Sequence, residues 1–178
     1  MARSQTLVAA IHGSSAYSIS SYSQIERYQQ TYRNHVYRGL TYHQLLLGAA
    51  LPDAAALAWA VHDPGIWTAG SFDYLTPSAD LASMHAGEFG VTDIEHVRMM
   101  ILGHHKVRPA DDRMTATMRI ADMVDVSRGI LSGPISRAQR NHAVAELPYL
   151  GFHTFLVRGL TRYAVAHPTR PFPMLRWY

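Results

Sequence analysis

The sequence predicts an all-α protein, a compact bundle of roughly six to eight helices. Three observations carry this. Apolar residues recur at the three- and four-residue spacing of helices along most of the chain. No segment shows the period-two alternation of a strand. The periodic runs are separated by Gly and Pro breaks, among them Gly48, Pro64-Gly65 and Gly90. At 178 residues, with 48% apolar and 16% charged residues, the chain fits one globular domain with a real core.

Residues 1–22 are serine-rich with little periodicity and read as a poorly packed arm. The helical domain spans 23–178. Residues 24–33 predict a polar helix. From Asn34 onward His35, Val36, Leu40, His43 and Leu47 follow helical spacing up to Gly48. Leu51-Pro52-Asp53 is a helix start, with Asp53 as N-cap of an alanine-rich helix through Val61. That helix runs into His62-Asp63 and breaks at Pro64-Gly65. Two polar groups at the end of a buried apolar helix are costly unless paired or bound to a metal.

The stretch 66–77 predicts a long loop. Loops of that length are usually functional or disordered, and Trp67, Phe72 and Tyr74 argue against disorder. These aromatics either cover a site or pack the loop down. Ser78 caps a helix through about Glu88 that carries His85, ended by Gly90. Thr92 or Asp93 opens the next, whose core face is Ile94, Val97, Ile101 and Leu102 and whose C-terminal end delivers His104-His105-Lys106. His104 is the better inward candidate, because a regular helix turns His105 about 100° away. A charged turn, Arg108 to Arg113, leads to a helix over 114–126 with Asp122 on its apolar face. Asp125, one turn later, reads as a supporting group or a partner of Arg128. After a Gly/Pro connector, helices are predicted over 135–147 and 152–166, then a proline-rich tail to Trp177-Tyr178.

The chain has no cysteine, so thiolate metal sites, cysteine nucleophiles and disulfides are excluded. Eleven histidines point instead to metal or proton chemistry. A metal held by His, Asp and Glu can be iron, manganese, cobalt, nickel, zinc or magnesium. The formal charge of +3 is compatible with a phosphorylated small molecule and too weak and scattered for a nucleic-acid groove. No apolar run approaches the ~18 residues of a membrane helix, which makes a cytoplasmic protein the expectation.

The polar groups on apolar helices or at their ends are His35, His62-Asp63, His85, His104-His105 and Asp122. One or two ligands per helix, converging from several helices, is how helical bundles build dinuclear metal sites. The order His … His-Asp … Asp resembles the metal-dependent HD-domain superfamily, and His … His-Asp … His … His … Asp resembles its two-metal branches. The surrounding words are similar too: Tyr32-Arg33-Asn34-His35, His62-Asp63-Pro64-Gly65, Ile101-Leu102-Gly103-His104-His105-Lys106, and Arg119-Ile120-Ala121-Asp122. The resemblance covers roughly 32–127, the HD-domain core, and leaves 128–178 as a helical extension.

The resemblance implies one or two divalent ions. His35, His62, Asp63 and Asp122 would hold the first, with Asp63 placed to bridge. His85 and His104 would hold the second, with His105 as substitute or neighbour. It implies a phosphohydrolase acting on a small phosphorylated metabolite or nucleotide through metal-activated water. Asp63 would then be catalytic, and Lys106, the chain's single lysine, would bind phosphate with Arg108 and Arg113. A mixed-valent di-iron oxygenase is the alternative from another class, and it would require both His85 and His104. A non-catalytic, metal-stabilised sensing module is the third. A dimer is compatible with all three.

Overall fold

The computed structural model describes residues 5, 6, 8–10, 22–108 and 110–175, and these are all-helical. Among the described residues from Tyr22 on, eight α-helices follow in order: α1 Tyr22–Leu47, α2 Asp53–Val61, α3 Gly65–Thr68, α4 Leu75–His85, α5 Ile94–Gly103, α6 Arg113–Val126, α7 Arg137–Glu146 and α8 Phe152–Ala166. A 3₁₀ turn, Ala86–Phe89, extends α4.

The two helices expected on either side of Asn34 are one continuous helix, α1. Asn34 costs the helix little where it lies, because its side chain bonds Gln30 at 2.9 Å and the Pro148 carbonyl at 2.8 Å. The structure gives the expected N-cap of α2 to Pro52, and Asp53 stands inside the first turn. The 66–77 loop is shorter than expected: α3 takes its first residues, and α4 begins at Leu75 instead of Ser78. Pro77 fits there because the first turn of a helix has N–H groups without internal partners. Asp93 caps α5, Asp112 caps α6, and Ser136 forms a reciprocal capping box with Gln139 at α7.

Helix α2 is the centre of the core. Every residue from Ala55 to Val61 is buried, so its apolar character all round is matched by neighbours on all sides. It packs against α1, α4 and α5, and α1 lies along α6. Small residues permit this closeness. Any side chain at Gly39 of α1 would collide with the ring of Trp59. Burial of Trp59, Leu57 and Leu40, all at most 1% exposed, contributes roughly 1.5–3 kcal/mol per side chain.

A second apolar cluster joins Ile66, Phe72, Tyr74 and Leu75 to Met174 of the tail, with Phe155, Leu156 and Leu160 of α8 against it. The C-terminal helix and tail thus fold back over the segment that follows His62-Asp63. Of the arm, Val8 is fully buried and the Gln5 carbonyl accepts a bond from the Tyr37 hydroxyl. These pieces pack against the core; the remaining arm residues, Pro109 and the Trp177-Tyr178 end lie outside the described residues. Among the described residues no helix is long and apolar enough to cross a membrane.

Candidate metal centre

Four helices deliver polar side chains into one buried pocket. His35 comes from the middle of α1, His62 and Asp63 from the end of α2, His104 and His105 from the turn after α5, and Asp122 from α6. His35, His62, Asp63, His104 and Asp122 are each at most 6% exposed. Within this cluster, His35, His62 and Asp122 form one group of potential ligand atoms lying within 4.8 Å of one another. His62, Asp63 and His104 form a second, and His104, His105 and Asp122 a third.

Three of the histidines share one orientation. The Nδ1 of His35 meets Asp125 Oδ2 at 2.7 Å, that of His62 the Trp59 carbonyl at 2.8 Å, and that of His104 the Ile101 carbonyl at 2.6 Å. A carbonyl or carboxylate oxygen only accepts, so each Nδ1 carries the proton and donates. Each Nε2 lone pair is then free to face the pocket. Tying one ring nitrogen to the protein so that the other can ligate is how metal-binding histidines are oriented.

The spacings suit shared ions. His35 Nε2 lies 3.1 Å from His62 Nε2, 3.4 Å from Asp122 Oδ1 and 3.6 Å from Asp63 Oδ2. His62 Nε2 is 3.2 Å from Asp63 Oδ2 and 3.9 Å from Asp122 Oδ1. Two donors each ~2.1 Å from one ion stand about 3.0 Å apart at a right angle and about 4.2 Å apart when opposed. A close approach of two unprotonated imidazole nitrogens is unfavourable without a cation or a proton between them. On the other side, Asp63 Oδ1 and His104 Nε2 are buried, 3.7 Å apart, and have no hydrogen-bond partner among the described residues. Buried polar atoms are nearly always satisfied, and this pair could hold an ion.

Charge and burial point the same way. Burial would lower the pKa of His35, yet hydrogen bonds to Asp125 and Asp63 and the field of Asp122 outweigh it and raise it to about 9. In the absence of a cation, a proton therefore takes its place. Burial would raise the Asp63 carboxyl, but His62, His104 and His35 hold it well below the usual carboxylate range. Asp122 is pushed up by burial, against the three histidines and helped by Asp63. Two carboxylates this close resist ionising together unless a cation joins them.

Asp125 lies behind this pocket. Its Oδ1 accepts from Arg38 Nε at 2.6 Å and its Oδ2 from an Arg38 amino group at 2.8 Å, beside the bond from His35. Arg38 is fully buried, reaches the Leu147 carbonyl at 2.6 Å, and lies 4.3 Å from the centre of the Tyr149 ring. Asp125 was expected as a supporting group or as a partner of Arg128; it supports His35, and the cation beside it is Arg38. Both belong to the 3.6-residue periodicity, since Arg38 stands one turn from His35 as Asp125 does from Asp122. A signal existed in that spacing.

The remaining expected site residues divide. His105 joins the pocket, its Nδ1 3.6 Å from Asp122 Oδ2 and its Nε2 2.8 Å from the Tyr74 hydroxyl. The rotation rule that turns it outward does not apply, because α5 ends at Gly103 and His105 lies in the turn beyond. His85 is not brought to the pocket: it sits at the end of α4, bonded to Glu88 at 2.9 Å. Lys106 is half-buried and Arg108 exposed, and Arg113 is exposed with its guanidinium on the Leu47 carbonyl at 3.2 Å. None of the three lines the cavity that opens onto Asp63, His105 and Asp122.

That cavity holds about 200 Å³. Phe152 forms part of its wall and stacks on His35 with ring centres 4.3 Å apart. Of the aromatics expected in the 66–77 loop, Phe72 and Tyr74 line it, while Trp67 stacks on Phe155 outside it. Comparison with models of protein families, with curated proteins and with solved structures finds no match to this chain.

Proposed function

We propose that this chain is an HD-type, metal-dependent hydrolase acting on a phosphoester of a small molecule. The observation that carries the reading is the common orientation of His35, His62 and His104, each anchored through Nδ1 with Nε2 turned to Asp63 and Asp122. A divalent ion bound there supplies an activated water as nucleophile and positive charge for the phosphate oxygens. The chain's own residues do the rest. Asp125 fixes the tautomer of His35 through their 2.7 Å bond. Asp63 keeps one carboxylate oxygen free of protein partners, available to orient a reacting water. Phe152 and Phe72 shield the pocket from bulk solvent, which strengthens every electrostatic interaction inside it.

Lys106, Arg108 and Arg113 do not line the cavity, and among the described residues no other lysine or arginine does, so a bound ion would supply the positive charge for a phosphate. The oxygenase alternative draws on His85, which is paired with Glu88 away from the pocket, so the hydrolytic reading is the one put forward. The test is phosphate release from a broad phosphoester panel by metal-loaded protein. Turnover that vanishes in Asp63→Asn, with the fold retained, supports the reading. No release from any member overturns it.

A further inference from the structure

We propose that this site takes a substrate whose body, apart from the reacting group, is small, uncharged and apolar. The proposal rests on the hydrolase reading above and names its substrate class.

The cavity has a polar floor and apolar walls. At the floor are Asp63, Asp122 and His105. The walls are carbon: Ile66 and Phe72 from the segment after α2, Phe152, Leu156 and Leu160 from α8, and Met174 from the tail. The Tyr74 hydroxyl is at the floor too and is already engaged with His105. Among the described residues no lysine or arginine lines the cavity. Arg158 and Arg162 line a different groove, with Thr31 and Leu150, and Arg170 is paired with Asp73 at 3.3 Å.

This arrangement sorts ligands by physical cost. A single anionic head has the metal centre as its partner. A second phosphate would sit among carbon atoms with no cation from the described residues beside it, and an unpaired buried charge is strongly unfavourable. A ribose and a base would bring hydroxyl and amide groups into walls that offer them no hydrogen bonds, each costing about 1–3 kcal/mol. A hydrocarbon body gains by leaving water in the same place. The volume of about 200 Å³ lies below the ~300–1,000 Å³ of drug-sized sites and suits a single ring or a short branched chain. A mononucleotide is disfavoured by the polarity of its ribose and base against these walls.

The test is calorimetric binding to zinc-loaded protein, or manganese-loaded protein if it takes up no zinc. The probes pair two heads with two bodies: phenylphosphonate and methylphosphonate, benzohydroxamate and acetohydroxamate, with AMP as the polar body. Phenylphosphonate should bind at least tenfold tighter than methylphosphonate and tighter than AMP. Leu160→Asn, a neutral polar residue of similar volume, should remove most of that preference by weakening phenylphosphonate more than methylphosphonate; Leu160→Ala, the milder change, should reduce it by about threefold. AMP binding as tightly as phenylphosphonate, or equal binding of the phenyl and methyl probes, would overturn the proposal. If neither phosphonate binds, a tenfold preference for benzohydroxamate over acetohydroxamate keeps the apolar substrate and discards the phosphoester. No such preference discards the apolar substrate as well. Failure to take up either metal sinks both readings together.

Discussion

Asp125→Asn removes one charge from the buried group that supports the site and leaves its shape almost unchanged. The carboxylate accepts three short bonds, at 2.6 and 2.8 Å from Arg38 and 2.7 Å from His35. In the amide, one of the two atoms becomes a donor, so Arg38 faces a donor in either orientation, and His35 does too when the nitrogen takes the Oδ2 position. Arg38, fully buried, loses its carboxylate partner. Removing one member of a buried pair costs about 3–5 kcal/mol. Arg38 retains the Leu147 and Pro148 carbonyls and the Tyr149 ring, which places the expected loss near the lower end, about 3 kcal/mol. For a domain of this size that is a fall of roughly 6–12 °C in Tm. Metal affinity should drop about 10- to 100-fold, as for other groups that orient a ligating histidine. Arg38→Met in the same chain removes the stranded cation, so the double variant should be more stable than the sum of the single losses implies by at least about 1.5 kcal/mol. Thermal and urea unfolding with metal titrations read all of this. An Asp125→Asn protein that melts like wild type, or a double variant whose losses simply add, would refute the reasoning.

Other consequences concern protons and packing. With His35 at about 9 in the metal-free protein, an ion that needs its neutral ring must displace a proton at pH 7. Calorimetry in buffers of different ionisation enthalpy should show release of about one proton per ion and an affinity that rises with pH up to about 9; uptake without release would count against His35 as a ligand. His43 is a buried neutral histidine: the Trp59 indole N–H, a donor only, bonds its Nδ1 at 2.9 Å, and burial lowers its pKa from 6.5 to about 4. The unfolded chain therefore binds more protons between those values, and stability should fall by up to about 3 kcal/mol as pH drops from about 6.5 to about 4. His43→Gln, which keeps an acceptor for Trp59 and a donor for Thr117, should flatten that part of the pH profile of urea unfolding. Gly65→Ala places a methyl group against the Tyr74 carbonyl and the Ser78 hydroxyl, and a thermal melt should show a loss of about 1–3 kcal/mol.

The helical architecture was legible because periodicity and breakers agree in this chain. The inward set was legible for a related reason: His35, His62, Asp63 and Asp122 are polar residues on the apolar faces or at the ends of helices, and the structure gathers them. His105 was harder, because its direction depends on where α5 stops and not on helical phase. His85 misled for the opposite reason. It occupies the order expected of a second-metal ligand, but sequence order carries no information about which way α4 turns its last residue, and Glu88 one turn later accepts a hydrogen bond from its Nδ1–H. The cations after His104-His105 are close in sequence to the site but do not line its cavity, and Arg113 reaches the Leu47 carbonyl at the end of α1 instead. Most of the apolar wall comes from α8 and the tail, about ninety residues after His62, a long-range packing that no local pattern announces.

Metal content after purification and after controlled reloading tests the central claim most directly. Protein stripped by chelator and returned to divalent ions, then measured by elemental analysis, should retain one or two ions per chain. Asp122→Ala and His62→Ala should each lose them, and the wild-type melting temperature should rise when the ion returns. Wild-type protein that keeps no ion above the level of those variants, and melts at one temperature with or without metal, would contradict the account.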